Sequence, residues 1–389
     1  MKRKHPGLLS AKQRRILWVL VSLAAAGCAV GFYLSVQRAF ANLLISNLYF
    51  LSLALFGVVF VAMHAVARAG YHVAFKRIPE AMSGYILPGG LLMCAIAGGS
   101  SLLYHWAHED VMAQDPILAG KEAYLNPSGF VVRALVFCVV WYGFSRWILW
   151  NSRRQDAQQD PGPTLSNVAV SAAFLAVFAV TFSLAAVDWL MSLEPHWYST
   201  LFPWYIASGM LASGFAALTL ILLEAKRKGY YREVNEYHFH DIGKFFFAFC
   251  CFWSYLWFSQ YLLIWYSNIP EETVFFIART KGWWLAVFLL NFMLNWLLPF
   301  ALLLPAAHKK SAGFLAAAAT SVLVGRWVDL YLIVMPIVMH SGPKFGYCEI
   351  AAFMLIGALF LLLMDRESAS ADMTPGNDPY LAESLQHHA

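Results

Sequence analysis

Asp241–Glu272, DIGKFFFAFCCFWSYLWFSQYLLIWYSNIPEE, is an apolar run long enough to cross a bilayer. Asp241 and Lys244 stand at one mouth, and Pro270, Glu271 and Glu272 at the other. Ser254, Ser259 and Gln260 lie inside the run. Polar groups in bare lipid are costly, so this helix must face other helices. It decides the fold class: an all-α integral membrane protein.

The rest of the chain agrees. Of its 389 residues, 60% are hydrophobic and 13% charged, against about 25% charged in an ordinary soluble domain. The net charge of +5 sits at the ends of apolar runs. It reads as a topology signal rather than a nucleic-acid surface. Ten spans of about 20 residues are expected, near Ile16–Tyr33, Leu43–Ala67, Met82–Trp106, Gly129–Leu149, Val168–Met191, Phe202–Leu223, Phe245–Tyr266, Trp283–Leu304, Ala312–Met339 and Ile350–Met364. The N-terminal run resembles a signal peptide, but it is too long for one and reads as an uncleaved first helix.

The loops alternate in charge. One side collects Arg68, Lys76, Arg77, Arg153, Arg154, Lys226, Arg227, Lys228, Lys309 and Lys310 together with the basic N-terminus. The other holds only Arg38, Lys121, Arg133, Arg279, Lys281 and Lys344. This asymmetry places both termini in the cytoplasm. Residues 365–389 read as a cytoplasmic tail, disordered or laid along a partner. The loop Glu224–His240 reads as a solvated or partner-facing connector.

DWLMSLEP (Asp188–Pro195) in helix five and DLYLIVMP (Asp329–Pro336) in helix nine share one Asp-to-Pro spacing. LLYHW (Leu102–Trp106) and LLIWY (Leu262–Tyr266) end helices three and seven. These pairs suggest two four-helix bundles, helices 2–5 (about 41–191) and 6–9 (about 202–339), flanked by helices 1 and 10 within residues 1–364.

Ionisable groups inside apolar helices need a partner or a purpose. Arg326 and Asp329, three apart, share a helix face and read as a structural pair or a proton relay. Asp188, with Glu194 after it, takes the place of Asp329 in the first bundle. His105 and His108 suit proton exchange at the outer end, or simple solvation there. His64 suits the inner mouth with Asp241 and Lys244, or a hydrogen-bonded place in the core. Glu349 reads as interfacial. The six cysteines include no C-x-x-C and no C-x-x-C-H, so cluster or haem c attachment to this chain is not expected. His105 and His340 sit at helix ends rather than as a matched pair within the span, which disfavours haem b. No metal or resident cofactor is expected.

Asp188–Tyr205, Asp241–Glu272 and Gly325–Pro336 resemble the NrfD/PsrC-like membrane subunits of quinone-linked redox complexes. Within that family the likeness is to the F-type subunits (ActF) of alternative complex III, a bacterial quinol:cytochrome c or quinol:acceptor oxidoreductase. The resemblance implies paired four-helix bundles and a multi-pass place in a bacterial inner membrane. It implies partners: a homologous C-type membrane subunit, periplasmic iron–sulfur and multihaem cytochrome c subunits that carry the clusters and haem c, and a terminal oxidase. It implies a cofactor-free subunit that conducts protons or acts as a scaffold. Asp188, Arg326 and Asp329 fall within the matching strings. A quinol-binding subunit with a pocket near Tyr104 and His105, and a free-standing transporter, are the rival readings.

Overall fold

The structure, a computed structural model, describes residues 7–339 and 341–388. Among the described residues, ten helices are long and apolar enough to cross a membrane. They are α1 (Ala11–Leu34), α2 (Val36–Ala67), α3 (Arg77–Gly98), α4 (Pro127–Ala157), α5 (Gly162–Trp189), α6 (Phe202–Arg227), α7 (Glu236–Ser267), α8 (Trp284–Leu303), α9 (Ala312–Val338) and α10 (Tyr347–Ser368). His340, weighed above as a haem ligand, lies outside the described residues, as do Lys2, Arg3 and Lys4.

Local chemistry sets many of the helix ends. Ser10 and Gln13 form a capping box at the start of α1. Asn126 caps α4 ahead of Pro127, and Asn235 caps α7. Arg68 and Asn268, both left-handed, end α2 and α7. In α8 a π-turn at Met293–Leu297 precedes Pro299.

The packing forms two closed rings. In one, α2 touches α3, α3 touches α4, α4 touches α5 and α5 returns to α2. In the other, α6, α7, α8 and α9 repeat that cycle. The rings meet where α2 packs on α6 and α9, and α5 on α6. The most apolar stretch of α2 is 78% buried and that of α1 only 11%, so α2 is central and α1 peripheral. α1 leans chiefly on α10, which itself packs on α2 and α3. We call the end that carries Gly7 and residues 369–388 the terminal end, and the opposite one the distal end.

Four expectations need correction. Helix three does not run to Trp106: it ends at Gly98, and two short 3-10 turns follow at Ser100–Leu102 and His105–Ala107. LLYHW is therefore not the helical counterpart of LLIWY, which lies within continuous α7. The connector 224–240 is not simply solvated, because Tyr231, Val234 and His238 are buried. Glu349 is buried rather than interfacial, bonded by Arg38 at 2.7 and 2.9 Å and by Asn42 at 2.9 Å.

The tail is the fourth. Residues 377–388 fold across the terminal end and carry a short helix, Leu381–Leu385. Asp378 forms a buried ion pair with Lys76. Buried Ser384 accepts from Ala74 N at 3.0 Å and donates to Tyr71 O at 2.6 Å. His387 meets Asp241 at 2.8 Å. These anchors pair a tail rich in short polar side chains with buried backbone groups of the 70–76 loop, which would otherwise lack partners.

Candidate functional site

The two carboxylates singled out from the sequence are both fully buried. Asp329 sits about 26 Å along α9 from Ala312 and about 14 Å before Val338, at 1.5 Å per residue. Its Oδ2 accepts from Arg326 Nη1 at 2.6 Å. Its Oδ1 accepts from Asn291 Nδ2 at 2.9 Å and from the Tyr205 hydroxyl. Arg326 also donates to Ile206 O at 3.3 Å. Room for its guanidinium exists because α6 presents Gly209: a Cβ there would lie 2.4 Å from Arg326 Nη1. Asn295 donates back to Asn291 Oδ1 at 2.7 Å, across the turn of α8 that the π-bulge widens.

Asp188 belongs to a second cluster. Its Oδ2 accepts from Arg133 Nε of α4 at 2.6 Å. The Arg133 guanidinium stands 4.0 Å above the Tyr124 ring. Burial pushes the Tyr124 hydroxyl up to about 12, and the Asp188 charge adds to this, so Tyr124 stays protonated at neutral pH. The repeat is visible in these clusters. In each ring the fourth helix supplies the aspartate, and the third helix supplies a nitrogen donor near its distal start: Arg133 in one, Asn291 in the other. The cavity between them, about 30 Å³, is lined mostly by aliphatic and phenyl side chains, with Ser52, Arg326 and the Trp189 indole as its polar members. Asp188 and Asp329 are thus not two stations of one polar file.

Asp329 connects instead toward Glu194. Half-buried Glu194 pairs with Arg279 at 2.8 Å. Arg279, 2% exposed, belongs to an amphipathic helix, Pro270–Thr280, at the distal end. It donates to Phe275 O and to Ile333 O, each at 2.7 Å. Ile333 lies one turn beyond Asp329 on α9. Arg279 therefore ties the distal surface to the Asp329 cluster.

Toward the terminal end the interior is filled by aromatic rings. On α2, Ser52 and His64 stand about 18 Å apart along the axis. Phe56 and Phe60 fill that interval and pack with Phe215 of α6 at ring centroids of 5.0 and 5.8 Å. Ser213 and Thr219 on α6 spend their hydroxyls on their own helix. Beyond this aromatic plug lies a small polar chamber of about 50 Å³, lined in part by His64, His72, Lys76, Glu80, Ser152 and Asp378. His64 bonds Phe60 O at 2.7 Å and the Tyr71 hydroxyl at 2.8 Å, which is the core-histidine reading. Asp241 pairs with Lys244 at 2.5 Å and with His387, so the proposed inner mouth lies under the tail. Arg77 holds both Glu80 and Asp156.

His105 and His108 are exposed at the distal end and join neither cluster. Buried Tyr104 donates its hydroxyl to Trp189 O at 2.9 Å. Sequence reasoning missed Tyr205, Asn291, Arg133 and Arg279. The Asn291/Asn295 pair, four apart in an otherwise apolar helix, was a usable signal. Arg133 and Arg279 were counted only as loop charges.

The chamber has a testable pH response. Burial, followed by the nearby His64 and Lys76, pushes the His72 imidazole well below the ordinary histidine value of 6.5. A depressed folded value means that the unfolded chain binds the proton first. His72 then contributes stability above pH 6.5 that drains away as the pH falls toward the depressed value, by about 1.4 kcal/mol per unit. The protection factors of residues 70–76 and 377–388, exchange rates referred to the intrinsic rate at each pH, are expected to fall between pH 7 and 5. His72→Asn is expected to flatten that fall.

Among the described residues no three His, Cys, Asp or Glu side chains converge as metal ligands would. No family model matches the chain, and no curated protein shows significant similarity to it.

Proposed function

We propose that this chain is a cofactor-free membrane subunit of a quinol-oxidising respiratory complex. In this reading its Arg326–Asp329–Tyr205–Asn291 cluster is a proton-loading site that faces the distal end. The observation that supports it best is the cluster itself. A fully buried carboxylate has its lone pairs engaged by a guanidinium, a phenol and an amide, and one turn further along α9 Arg279 holds Ile333 O and half-buried Glu194. Such a site takes a proton from one side when Arg326 moves off the carboxylate, and holds it while the aromatic plug blocks the other. Transfer across the membrane then needs a linked conformational change that wets the Phe56–Phe60–Phe215 stretch, driven by quinol oxidation in a partner subunit. The charge asymmetry of the loops supports a cytoplasmic terminal end.

The test is the ratio of protons to electrons in vesicles containing the intact complex. Tyr205→Phe preserves the ion pair and removes the hydroxyl, and Asp329→Asn removes the titrating group. Both are expected to lower the ratio while electron transfer continues. An unchanged ratio in both would end the relay reading. Mild detergent extraction, with identification of co-purifying iron–sulfur and cytochrome subunits, tests the class of complex.

A scaffold is the second reading, and one observation favours it. The buried carboxylates Glu80, Asp188, Asp329, Glu349, Asp365 and Asp378 each have a cationic partner within salt-bridge reach.

A further inference from the structure

Beside Tyr205 and Arg279 lies a partly enclosed space of about 20 Å³, walled by Tyr205, Gln260, Arg279 and the rings of Trp257, Phe275 and Phe288. Two of the polar residues lining it carry unsatisfied atoms. Gln260 is 4% exposed and its Oε1 has no protein partner. Arg279 is 2% exposed and its Nε has none either. A buried unpaired amide oxygen and a buried unpaired guanidinium N–H each carry a desolvation cost of about 1–3 kcal/mol. The space exceeds the roughly 10–15 Å³ that one water needs, and a buried water typically makes about three hydrogen bonds.

We infer that Gln260, Arg279 and Tyr205 hold one buried water, which completes a hydrogen-bonded file from the Glu194–Arg279 pair to Asp329. The water accepts from Arg279 Nε and donates to Gln260 Oε1. Its second hydrogen goes to a lone pair of Tyr205 Oη, whose own hydrogen already points at Asp329 Oδ1. Should the Gln260 amide sit in its flipped orientation, its NH₂ donates to the same water and the site survives. The polarity of the file follows. A proton handed from the water to Tyr205 Oη releases the hydroxyl proton onto Asp329, so Tyr205 ends neutral. The water, left short of one proton, regains it from a hydronium ion entering from the distal side, because the Arg279 guanidinium keeps its own hydrogens. Glu194 balances the Arg279 charge that would otherwise repel that proton. Its role in conduction rests on the proposed function; its presence does not.

The experiment is X-ray hydroxyl-radical footprinting of the full chain in lipid nanodiscs, which labels rings beside ordered water. In the unaltered protein, Tyr205 and Phe275 are expected to label well above the plug rings Phe56 and Phe215. Gln260→Leu is expected to lower that labelling about fivefold, the occupancy lost with one ordinary hydrogen bond. Gln260→Glu, which keeps an acceptor, is expected to retain it. Labelling of Tyr205 and Phe275 no higher than that of Phe56 and Phe215 would overturn the water site. Proton-to-electron ratios of the complex separate the two ideas. A labelled site whose Gln260→Leu variant moves protons normally keeps the water and removes the conduction role.

Discussion

Asp329→Leu is expected to destabilise the chain by about 3–5 kcal/mol, the cost of leaving one partner of a buried ion pair uncompensated. Arg326→Met should cost less. A carboxylate stranded in a low-dielectric interior escapes its charge by taking up a proton, whereas a guanidinium does not lose one in proteins. Asp329 also retains the donors Tyr205 and Asn291, while Arg326 without Asp329 keeps only Ile206 O at 3.3 Å. The double replacement Arg326→Met/Asp329→Leu should recover part of the loss, because a buried pair exchanged for packed apolar side chains is often neutral or better, while the Tyr205 hydroxyl and Asn291 amide are left without their acceptor. Unfolding in mixed micelles, followed by tryptophan fluorescence, measures all three. Recovery in the double variant together with normal proton-to-electron ratios supports the scaffold. Recovery with a lowered ratio supports the relay. Equal losses in all three would contradict the ion-pair account.

The second large effect concerns the seam between the rings. A Cβ at Gly214 would lie 2.0 Å from Phe56 Cγ, so α6 and α2 approach more closely there than any other residue permits. Gly214→Ala is expected to cost about 1–3 kcal/mol and Gly214→Leu more, by forcing the ring or the helix aside. Phe56→Ala/Gly214→Ala relieves the clash but gives up a fully buried ring worth about 3–5 kcal/mol, so it is expected to cost less than the sum of the two single changes. That double variant also thins the plug, so vesicles containing it are expected to leak protons faster than wild type. A cost below that sum without any leak would show that Phe60 and Phe215 seal the interior alone.

Ten spans were legible because length and hydropathy are properties of consecutive residues, and the bilayer imposes one length on all of them. The Arg326–Asp329 pair was legible for a related reason, since positions three apart on one helix must share a face. The two-ring packing follows the Asp188/Asp329 repeat. Its second supporting match failed because Gly98 and Gly99 end α3 early, and residue similarity at LLYHW carries no information about backbone conformation. The tail was misread because its short polar residues have no periodicity. Their partners, Lys76, Tyr71, Asn235 and Asp241, are 146 to more than 300 residues away in sequence.

The chain's order of residues settled by itself that this is a ten-span helical membrane protein with charged groups that need company inside it. Only the tertiary structure decided which company each one keeps. Arg133 goes to Asp188, Arg279 to Glu194, Tyr205 and Asn291 to Asp329, and an apolar gap divides two aspartates that looked equivalent. The reason is physical: hydropathy and helical period act along one helix, whereas a buried charge is stabilised by whatever donor a neighbouring helix brings within about 3 Å.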